Sequence, residues 1–211
     1  MRDRWYGDKR DLVKWGVLSQ LASTFGAVKI LQIAYYRQDT WDSLEIDGQQ
    51  YPLPGDVIKH FRNVHNVTNL ETPARINVIG IPFGRVNRIQ YTQGIVTAIK
   101  SCGSERCVVF LDPDTGLEPK AAVGRQHVRE SELATIWNGM RPGDVLVFYQ
   151  HKIRNMNPWI EPKRVQFERA LGLGCGEAKL AWGPAIVRDV AFFYCQKSAG
   201  HSATGANDIV R

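Results

Sequence analysis

The hydrophobic pattern begins with a helix followed by a strand. Between Asp11 and Phe25, apolar residues recur at three- and four-residue steps, the period of a helix with one buried face: Leu12, Trp15, Leu18, Leu21, Ala22 and Phe25. Asp8 and Asp11 stand at the start, where carboxylates suit the positive helix end, and Gly26 can end the helix. The apolar run from Val28 to Tyr36 is too short for a second helix and predicts a strand buried on both faces.

The same alternation continues along the rest of the chain. Further strands and helices are predicted in turn, the strands at 76–83, 107–111 and 144–150 and the helices at 91–102 and 130–137. A last helix and two apolar runs, which predict an antiparallel hairpin, follow at 162–171, 178–187 and 190–196. Such alternation favours parallel pairing with right-handed crossovers. We therefore expect an α/β fold, with a Rossmann-like, mostly parallel sheet, helices on both faces and a C-terminal antiparallel hairpin.

Residues 37–74 interrupt this pattern. Turn-forming residues are concentrated there, around a short helical stretch near 57–64: Asp39, Asp42, Asp47-Gly48, Pro52, Pro54-Gly55 and Pro73. We interpret the chain as one α/β domain over 1–197 with an insertion at about 37–74. The tail 198–211 is rich in Gly, Ala and Ser, so we expect it to be mobile.

Composition narrows the cellular setting and the class of partner. No run of about 18 apolar residues occurs and the first residues are charged, so we expect a soluble, cytoplasmic protein with no membrane association. The cysteines lack metal-binding spacing, and we interpret them as reduced, mostly buried thiols: Cys102, Cys107, Cys175 and Cys195. A formal charge of +6 and a pI near 9.2 fit an anionic partner such as nucleic acid, although ordinary solubility charge explains them nearly as well.

An acidic turn directly follows the strand predicted at 107–111. Asp112-Pro113-Asp114-Thr115-Gly116 brings two carboxylates to the carboxyl edge of the sheet, where ligands bind in folds of this kind. Carboxylates held close together could bind a divalent cation, act as a general base, or accept hydrogen bonds from a substrate amino group. A plain strand-ending turn is the alternative explanation.

The strand predicted at 144–150 ends in Gln150-His151-Lys152, which places an imidazole and an ammonium group on the same edge. His151 can exchange a proton near neutral pH. Beyond it, basic residues alternate with aromatic ones, a composition suited to phosphate contact with base stacking. The residues we expect to contact DNA or RNA are Lys152, Arg154, Trp159, Lys163 and Arg164. A solvated helix face explains the same charges equally well.

The start of the chain and the acidic turn resemble motifs of a known family. The segment from Gly7 to Trp15 is similar to the N-terminal cofactor-contacting segment of class I S-adenosylmethionine-dependent methyltransferases, in particular those that methylate the exocyclic amino group of adenine in DNA or ribosomal RNA. Asp112-Pro113-Asp114-Thr115 stands where those enzymes have an acidic residue, two prolines and an aromatic residue. The predicted hairpin also fits their fold.

The resemblance implies S-adenosylmethionine as cofactor, near a set of residues at the start of the chain: Gly7, Asp8, Lys9, Asp11 and Lys14. It also implies that Asp112 and the carbonyl group of Pro113 accept hydrogen bonds from the target amino group, with Asp114 and His151 as polar partners. Tyr35-Tyr36-Arg37 follows the first strand in place of the acidic, glycine-rich loop of the family. We expect this degenerate loop to obstruct the approach to the cofactor.

Three functions stay open at this point. The leading hypothesis is a methyltransferase-like protein that acts on nucleic acid. In a metal-dependent nuclease or phosphohydrolase, Asp112, Asp114 and Glu118 would hold Mg²⁺, with Lys120 or His151 assisting water attack. A non-enzymatic nucleic-acid-binding protein on a methyltransferase-like scaffold is the third, since a shared fold does not guarantee shared chemistry.

Overall fold

The computed structural model describes residues 8–37, 43–57, 63–83, 87–119, 124, 126–153 and 157–199. Within these ranges the α-helices are α1 Lys9–Phe25, α2 Arg88–Lys100, α3 Glu130–Gly139 and α4 Ile160–Leu171, and a 3-10 helix covers Val64–Asn69. The strands are β1 Lys29–Ile33, β2 Ser43–Ile46, β3 Gln49–Pro52, β4 Arg75–Ile79, β5 Cys107–Leu111, β6 Gly116–Leu117, β7 His127–Val128, β8 Val145–His151, β9 Lys179–Ala181 and β10 Val190–Gln196.

A six-stranded sheet with the order β4-β1-β5-β8-β10-β9 forms the centre of the fold. β4, β1, β5 and β8 run parallel to one another. β10 is antiparallel to both of its neighbours, β8 and β9. The α/β class, the mostly parallel sheet and the closing antiparallel hairpin are therefore confirmed.

Helices cover both faces of the sheet, as predicted. Val109 and Leu111 of β5 pack in a hydrophobic cluster with side chains of α2, α3 and α4. Val108 and Phe110 point to the opposite face and pack with α1. Because successive side chains of a strand alternate between faces, β5 is buried on both sides and lies at the centre of the core.

The buried face of α1 differs from the predicted one at its first turn. Asp8 caps the helix by accepting hydrogen bonds from the backbone amides of Arg10 and Asp11. Leu12, which we expected to be buried, is 65% exposed, whereas Asp11 and Lys14 are buried. The apolar rule fails here because this turn of the helix faces a buried carboxylate rather than the hydrophobic core.

The insertion contains a hairpin that the turn-forming residues did not indicate. β2 and β3 pair antiparallel in a sheet of their own, and every residue of both strands is exposed. The turn predicted at Asp47-Gly48 is confirmed, with φ values of 50° and 79°. Most of the helical stretch predicted near 57–64 and most of the tail lie outside the described residues, and the domain boundaries stay a prediction.

The cysteines and the helices bear on the cellular location that we predicted from the composition. All four cysteines are free thiols, and three of them are buried, as predicted. Within the described ranges, no helix has both the length and the apolar composition required to cross a membrane. The cytoplasmic location stays a prediction.

Candidate functional site

The candidate site lies at the carboxyl edge of the parallel strands, between β1 and β5. β4 follows β1 along the chain and pairs on one side of it, and β5 pairs on the other side. The order in which the strands are added to the sheet therefore reverses direction between β1 and β5. Such a reversal opens a crevice beyond the strand ends, which is where open α/β sheets bind ligands. The amide of Asp112 donates to the carbonyl oxygen of Ile33 at 2.9 Å, so the two strand ends stay paired up to the crevice.

The acidic turn and the Gln150-His151 corner meet at this edge, as the sequence predicted. The amide of His151 and Nε2 of Gln150 each donate to the carbonyl oxygen of Thr115 at 3.0 Å. Gln150 Oε1 accepts from the amide of Leu117 at 2.9 Å. Gly116 makes this approach possible, because its φ is +114° and a Cβ there would lie 2.3 Å from Gln150 Oε1.

Asp112 is bound by donors of the protein itself. Its side chain is 2% exposed, and its Oδ2 accepts from Lys14 Nζ at 3.0 Å and from Gln32 Nε2 at 2.8 Å. Lys14 also donates to Asp11 Oδ1 at 2.7 Å. Burial alone would lower the pKa of Lys14, but the carboxylates of Asp112 and Asp11 outweigh burial and raise that pKa well above its ordinary value.

This burial corrects the role expected for the first half of the turn. Asp112 and Pro113 are both buried, so the target amino group that we expected them to bind does not reach them in this structure. Asp114 and Thr115, the next two residues, are partly exposed. The exposed part of the turn therefore begins at Asp114, although the side chain of Asp114 is itself only 8% exposed and is covered by Arg37.

An ion pair between Arg37 and Asp114 crosses the crevice. Nε of Arg37 donates to Asp114 Oδ2 at 2.7 Å, and its Nη2 contacts the same oxygen. Burial would raise the pKa of Asp114, but the pKa is lowered from its ordinary value, and the guanidinium group of Arg37 is one of the positive charges that lower it. Residues that follow β1 and β5 are thus joined by charge across the crevice.

The two tyrosines after β1 do not obstruct the crevice in the way we expected. The ring of Tyr35 packs 5.2 Å from that of Phe83 and 5.4 Å from that of Tyr91, and Tyr35 is 3% exposed. Tyr36 packs on the opposite face of the sheet, against the cluster of Ala34 and Val64. Only Arg37, the third residue of that segment, reaches across to the acidic turn.

His127, which the sequence analysis missed, lies beside the turn because β7 pairs with β6. Thr115 Oγ1 is 2.7 Å from the carbonyl oxygen of Gln126 and 2.7 Å from Nδ1 of His127. A carbonyl oxygen can only accept, so the hydroxyl group donates to Gln126 and accepts from Nδ1. The proton of the neutral ring is therefore on Nδ1, and Nε2 carries a lone pair.

Charge around His127 favours that neutral ring. Burial lowers the pKa of His127 below its ordinary value, and the positive charges of Lys163 and Arg37 lower the pKa further. His127 follows no apolar strand of its own, so neither position nor periodicity marked it in the sequence. Its role depends on contact with Thr115, twelve residues away along the chain.

His151 belongs to a second polar cluster at the same edge. Its Nε2 lies 3.2 Å from Asp189 Oδ2, and its Nδ1 lies 3.0 Å from the carbonyl oxygen of Lys152. Arg10 bridges Asp8 and Asp189, with Nη1 and Nη2 at 3.1 and 2.5 Å from the two carboxylates. Burial would raise the pKa of Asp189, but the hydrogen bond and charge of Arg10 lower that pKa below its ordinary value.

The predicted cofactor segment divides into two parts at the carboxyl edge of the sheet, and its role in binding a cofactor stays a prediction. Asp8 and Lys9 are at the surface, whereas Asp11 and Lys14 are committed to the buried network around Asp112. Gly7 lies outside the described residues.

Exposed positive charges border the His151 cluster. Lys9, Lys152 and Arg188 are exposed, and none of them forms an ion pair with another described residue. Each is next in the sequence to Arg10, His151 or Asp189, and the amide of Lys152 donates to the carbonyl oxygen of Asp189 at 2.7 Å. We call these three residues the basic rim. Of its members, the sequence analysis assigned only Lys152 to nucleic acid.

The other described residues that we expected to contact nucleic acid are buried or paired with carboxylates. Trp159 is 6% exposed and Lys163 is 4% exposed. Lys163 Nζ donates to the carbonyl oxygens of Leu117 and Glu118 at 3.1 and 3.0 Å, and burial lowers its pKa to about 8. Arg164 is paired with Glu161 and Glu168, and Arg154 lies outside the described residues. Because Trp159 and Lys163 are buried and Arg164 is paired with carboxylates, we omit these three residues from the proposed interface.

Comparison with known proteins gives a limited result. No family model and no curated protein matches the chain. It is similar in structure to a candidate methyltransferase from Thermobifida fusca YX, at 11% identity and a TM-score of 0.42 over 90% of this chain and 80% of that one. It is also similar to a DUF574 family protein from Streptomyces avermitilis MA-4680, at 10% identity and a TM-score of 0.43 over 90% and 82% of the two chains. Similarities this low carry no argument about activity.

Proposed function

We propose that this is a methyltransferase-like protein that acts on nucleic acid. In this proposal the basic rim holds the phosphate backbone, and the chemistry takes place in the crevice between β1 and β5. The observation that carries the proposal is that the unpaired charges of the rim border the edge at which Thr115 contacts both His127 and His151. Unpaired lysine and arginine side chains gain free energy by displacing counterions from phosphates.

The residues of the crevice fit S-adenosylmethionine as the methyl donor. The amino-acid portion of this molecule carries a carboxylate and an ammonium group, and Arg37 and Asp114 carry the complementary charges. Tyr35 has a φ of 43°, a conformation that favours glycine, so the backbone after β1 turns as a glycine-containing loop can turn, while the tyrosine ring stays in the core. When bound, S-adenosylmethionine supplies a methyl group on a positively charged sulfur.

The side chains of the protein would position the target and remove its proton. An amino or hydroxyl group that gains a methyl group must lose a proton, and Nε2 of neutral His127 carries a lone pair at the edge of the crevice that can accept this proton. Asp112 acts as a positioning residue in this account, because it ties the end of β5 to Lys14 of α1 and to Gln32 of β1. Asp114 and His151 stay predicted polar partners of the target.

The other two functions are weighed against the same contacts. The ammonium group of Lys14 lies 3.0 Å from Asp112, where a divalent cation would have to bind, so we do not propose the Mg²⁺-dependent hydrolase. A protein that only binds nucleic acid is favoured by one observation, the Arg37–Asp114 ion pair that crosses the crevice. A donor molecule would have to replace that pair.

Binding of single-stranded DNA and RNA, measured by fluorescence anisotropy across a salt series, tests the proposed interface. Lys9→Gln/Lys152→Gln removes two charges from the rim, and Lys100→Gln/Lys179→Gln removes two exposed charges elsewhere. We expect the rim variant to lose about tenfold or more in affinity and to show a shallower salt dependence, while the control changes by less than about twofold. Equal losses in both variants, or no binding at low salt, would refute the interface.

A further inference from the structure

A second polar cavity lies at the opposite edge of the sheet from the candidate site. It has a volume of about 400 Å³, and its lining includes Ser104, Arg106, Arg141 and Asp144. Arg106 and Asp144 immediately precede β5 and β8, and the carboxyl end of α1 closes the third side at Gly26. The proposed methyl-transfer chemistry involves none of these residues.

Arg141 enters the cavity with part of its guanidinium group already bound. Its Nε and Nη2 lie 3.1 and 3.0 Å from the carboxylate oxygens of Asp144, and Nη2 also donates to the carbonyl oxygen of Glu105 at 2.7 Å. The remaining nitrogen, Nη1, is buried and has no hydrogen-bond partner among the described residues. Buried guanidinium nitrogens are normally satisfied, so Nη1 is a spare donor beside the cavity, which a ligand would reach after a small movement of the Arg141 side chain.

Arg106 is the less constrained of the two arginines. It is exposed, and its Nη1 donates to the carbonyl oxygen of Phe25 at the end of α1. Its Nε and Nη2 lie 3.5 and 3.9 Å from the position that a Cβ would take on Gly143, so the group extends across a residue without a side chain. No other hydrogen bond of its side chain to a described residue is present.

The balance of charge in the cavity favours an anion. Among the lining residues, Asp144 supplies a carboxylate group, which is 1% exposed. This carboxylate is paired with Arg141 and also accepts a hydrogen bond of 2.9 Å from the amide of Cys107. Its charge is therefore already matched by Arg141, whereas Arg106 forms no ion pair with any residue in the described ranges. Two guanidinium groups with spare donors, next to the hydroxyl group of Ser104, suit the tetrahedral oxygens of a phosphate.

We propose that this cavity binds a phosphate group, with Arg106 and Arg141 as its charged ligands. The volume lies within the range of small-molecule sites and exceeds what a bare phosphate needs, so the group is carried by a larger molecule. Two sources share this chemistry, a free phosphorylated metabolite and the backbone of a nucleic acid that extends beyond the basic rim. The proposal is independent of the proposed methyl transfer, because it involves neither the crevice nor its cofactor.

Amide chemical shifts of the full chain, recorded by NMR during a titration with inorganic phosphate, test the site directly. We expect the shift changes to be largest at Ser104, Arg106 and Gly143. Changes centred instead on Lys9, Lys152 and Arg188, or no saturable change at millimolar phosphate, would overturn the proposal. This titration uses the wild-type protein, so a folding defect caused by a substitution cannot obscure the result.

Variants then test the assigned ligand. Arg106→Gln is expected to weaken phosphate binding about tenfold, because hydrogen bonds to a charged group are lost. Lys179→Gln, which removes an exposed charge outside the cavity, is expected to leave binding unchanged, and thermal melting checks that both variants fold. Arg106→Lys keeps the charge but loses the planar fork and is expected to bind with intermediate affinity. Wild-type affinity in Arg106→Gln would overturn the assignment.

Competition separates the two sources of the phosphate. If a single-stranded oligonucleotide displaces inorganic phosphate from the cavity amides, the group belongs to nucleic acid. If it shifts only the basic rim while a mononucleotide displaces phosphate, the ligand is a free phosphorylated compound. Both results support the site.

Discussion

The ammonium nitrogen of Lys14 lies 3.0 Å from Oδ2 of Asp112, and this contact joins the first turns of α1 to the end of β5. Both side chains are buried, and Asp11 and Gln32 complete the network around them. Removing one partner of a buried ion pair leaves the other charge without compensation, which is strongly destabilising. The residue at the head of the acidic turn is therefore first a structural anchor, and its neighbours Asp114 and Thr115 face the crevice.

The first prediction concerns this anchor. Lys14→Met should lower the free energy of unfolding by about 3–5 kcal/mol, because Asp112 stays buried without its cationic partner. Lys9→Met, an exposed change on the same helix, should alter the free energy of unfolding by no more than about 0.5 kcal/mol. Urea denaturation followed by circular dichroism measures both. A loss below about 1 kcal/mol in Lys14→Met would contradict the anchoring role.

The second prediction concerns the close approach of Gly116 to Gln150. Gly116→Ala should destabilise the protein by more than the cost of a left-handed φ alone, because its Cβ would lie 2.3 Å from Gln150 Oε1. Gly103→Ala is the matched control, since Gly103 also has a positive φ of +73° but nothing lies within 4 Å of the added atom. The control should cost about 1–2 kcal/mol and Gly116→Ala clearly more. Equal losses would mean that the turn adjusts freely.

The third prediction concerns the protonation of His127. Its pKa lies below the ordinary value of 6.5. Between that lowered pKa and 6.5 the unfolded chain binds more protons than the folded protein, so stability rises with pH in this window and falls on acidification. His127→Asn, which keeps a donor to Thr115, should reduce this loss of stability below pH 6.5.

Long-range proton–nitrogen NMR spectra check the same residue without any substrate. We expect the proton of the neutral ring on Nδ1, because Thr115 Oγ1 donates to Gln126 and can only accept from the ring. Thr115→Val should remove that preference. A proton on Nε2 in the wild-type protein would exclude His127 as the base.

Periodicity and turn chemistry predicted most of the fold. The long apolar spacing of α1, the continuous apolar run of β5 and the paired runs that end in β10 each have one plausible interpretation, and each is observed. Periodicity failed at the first turn of α1, where Leu12 is exposed and the inward positions are polar. It also missed β2 and β3, because strands exposed on both faces have no alternation of apolar residues.

The order of the elements along the chain predicted which edge of the sheet carries the polar residues of the site. It did not predict which partner each of their side chains contacts. That Asp112 and His151 lie at the carboxyl ends of neighbouring parallel strands could be inferred from the order of the elements alone. The burial of Asp112 by Lys14 depends on the rotation of α1 over the sheet, which no local pattern fixes. His127 and Arg188 were missed for the same reason, since each acquires its role through a contact with a distant segment or through its place beside one. Arg37 was named in the sequence as part of an obstructing loop, but its pairing with Asp114 was not predicted.

Calorimetric titration of the full chain with S-adenosylmethionine tests the central claim most directly. We expect saturable binding that Arg37→Gln weakens about tenfold or more, because a charged hydrogen bond is lost. Arg75→Gln, which breaks an exposed Arg–carboxylate pair at the opposite edge of the sheet, should bind as the wild-type protein does. No detectable binding at millimolar S-adenosylmethionine, with nucleic-acid binding intact, would contradict the account and leave a protein that only binds nucleic acid.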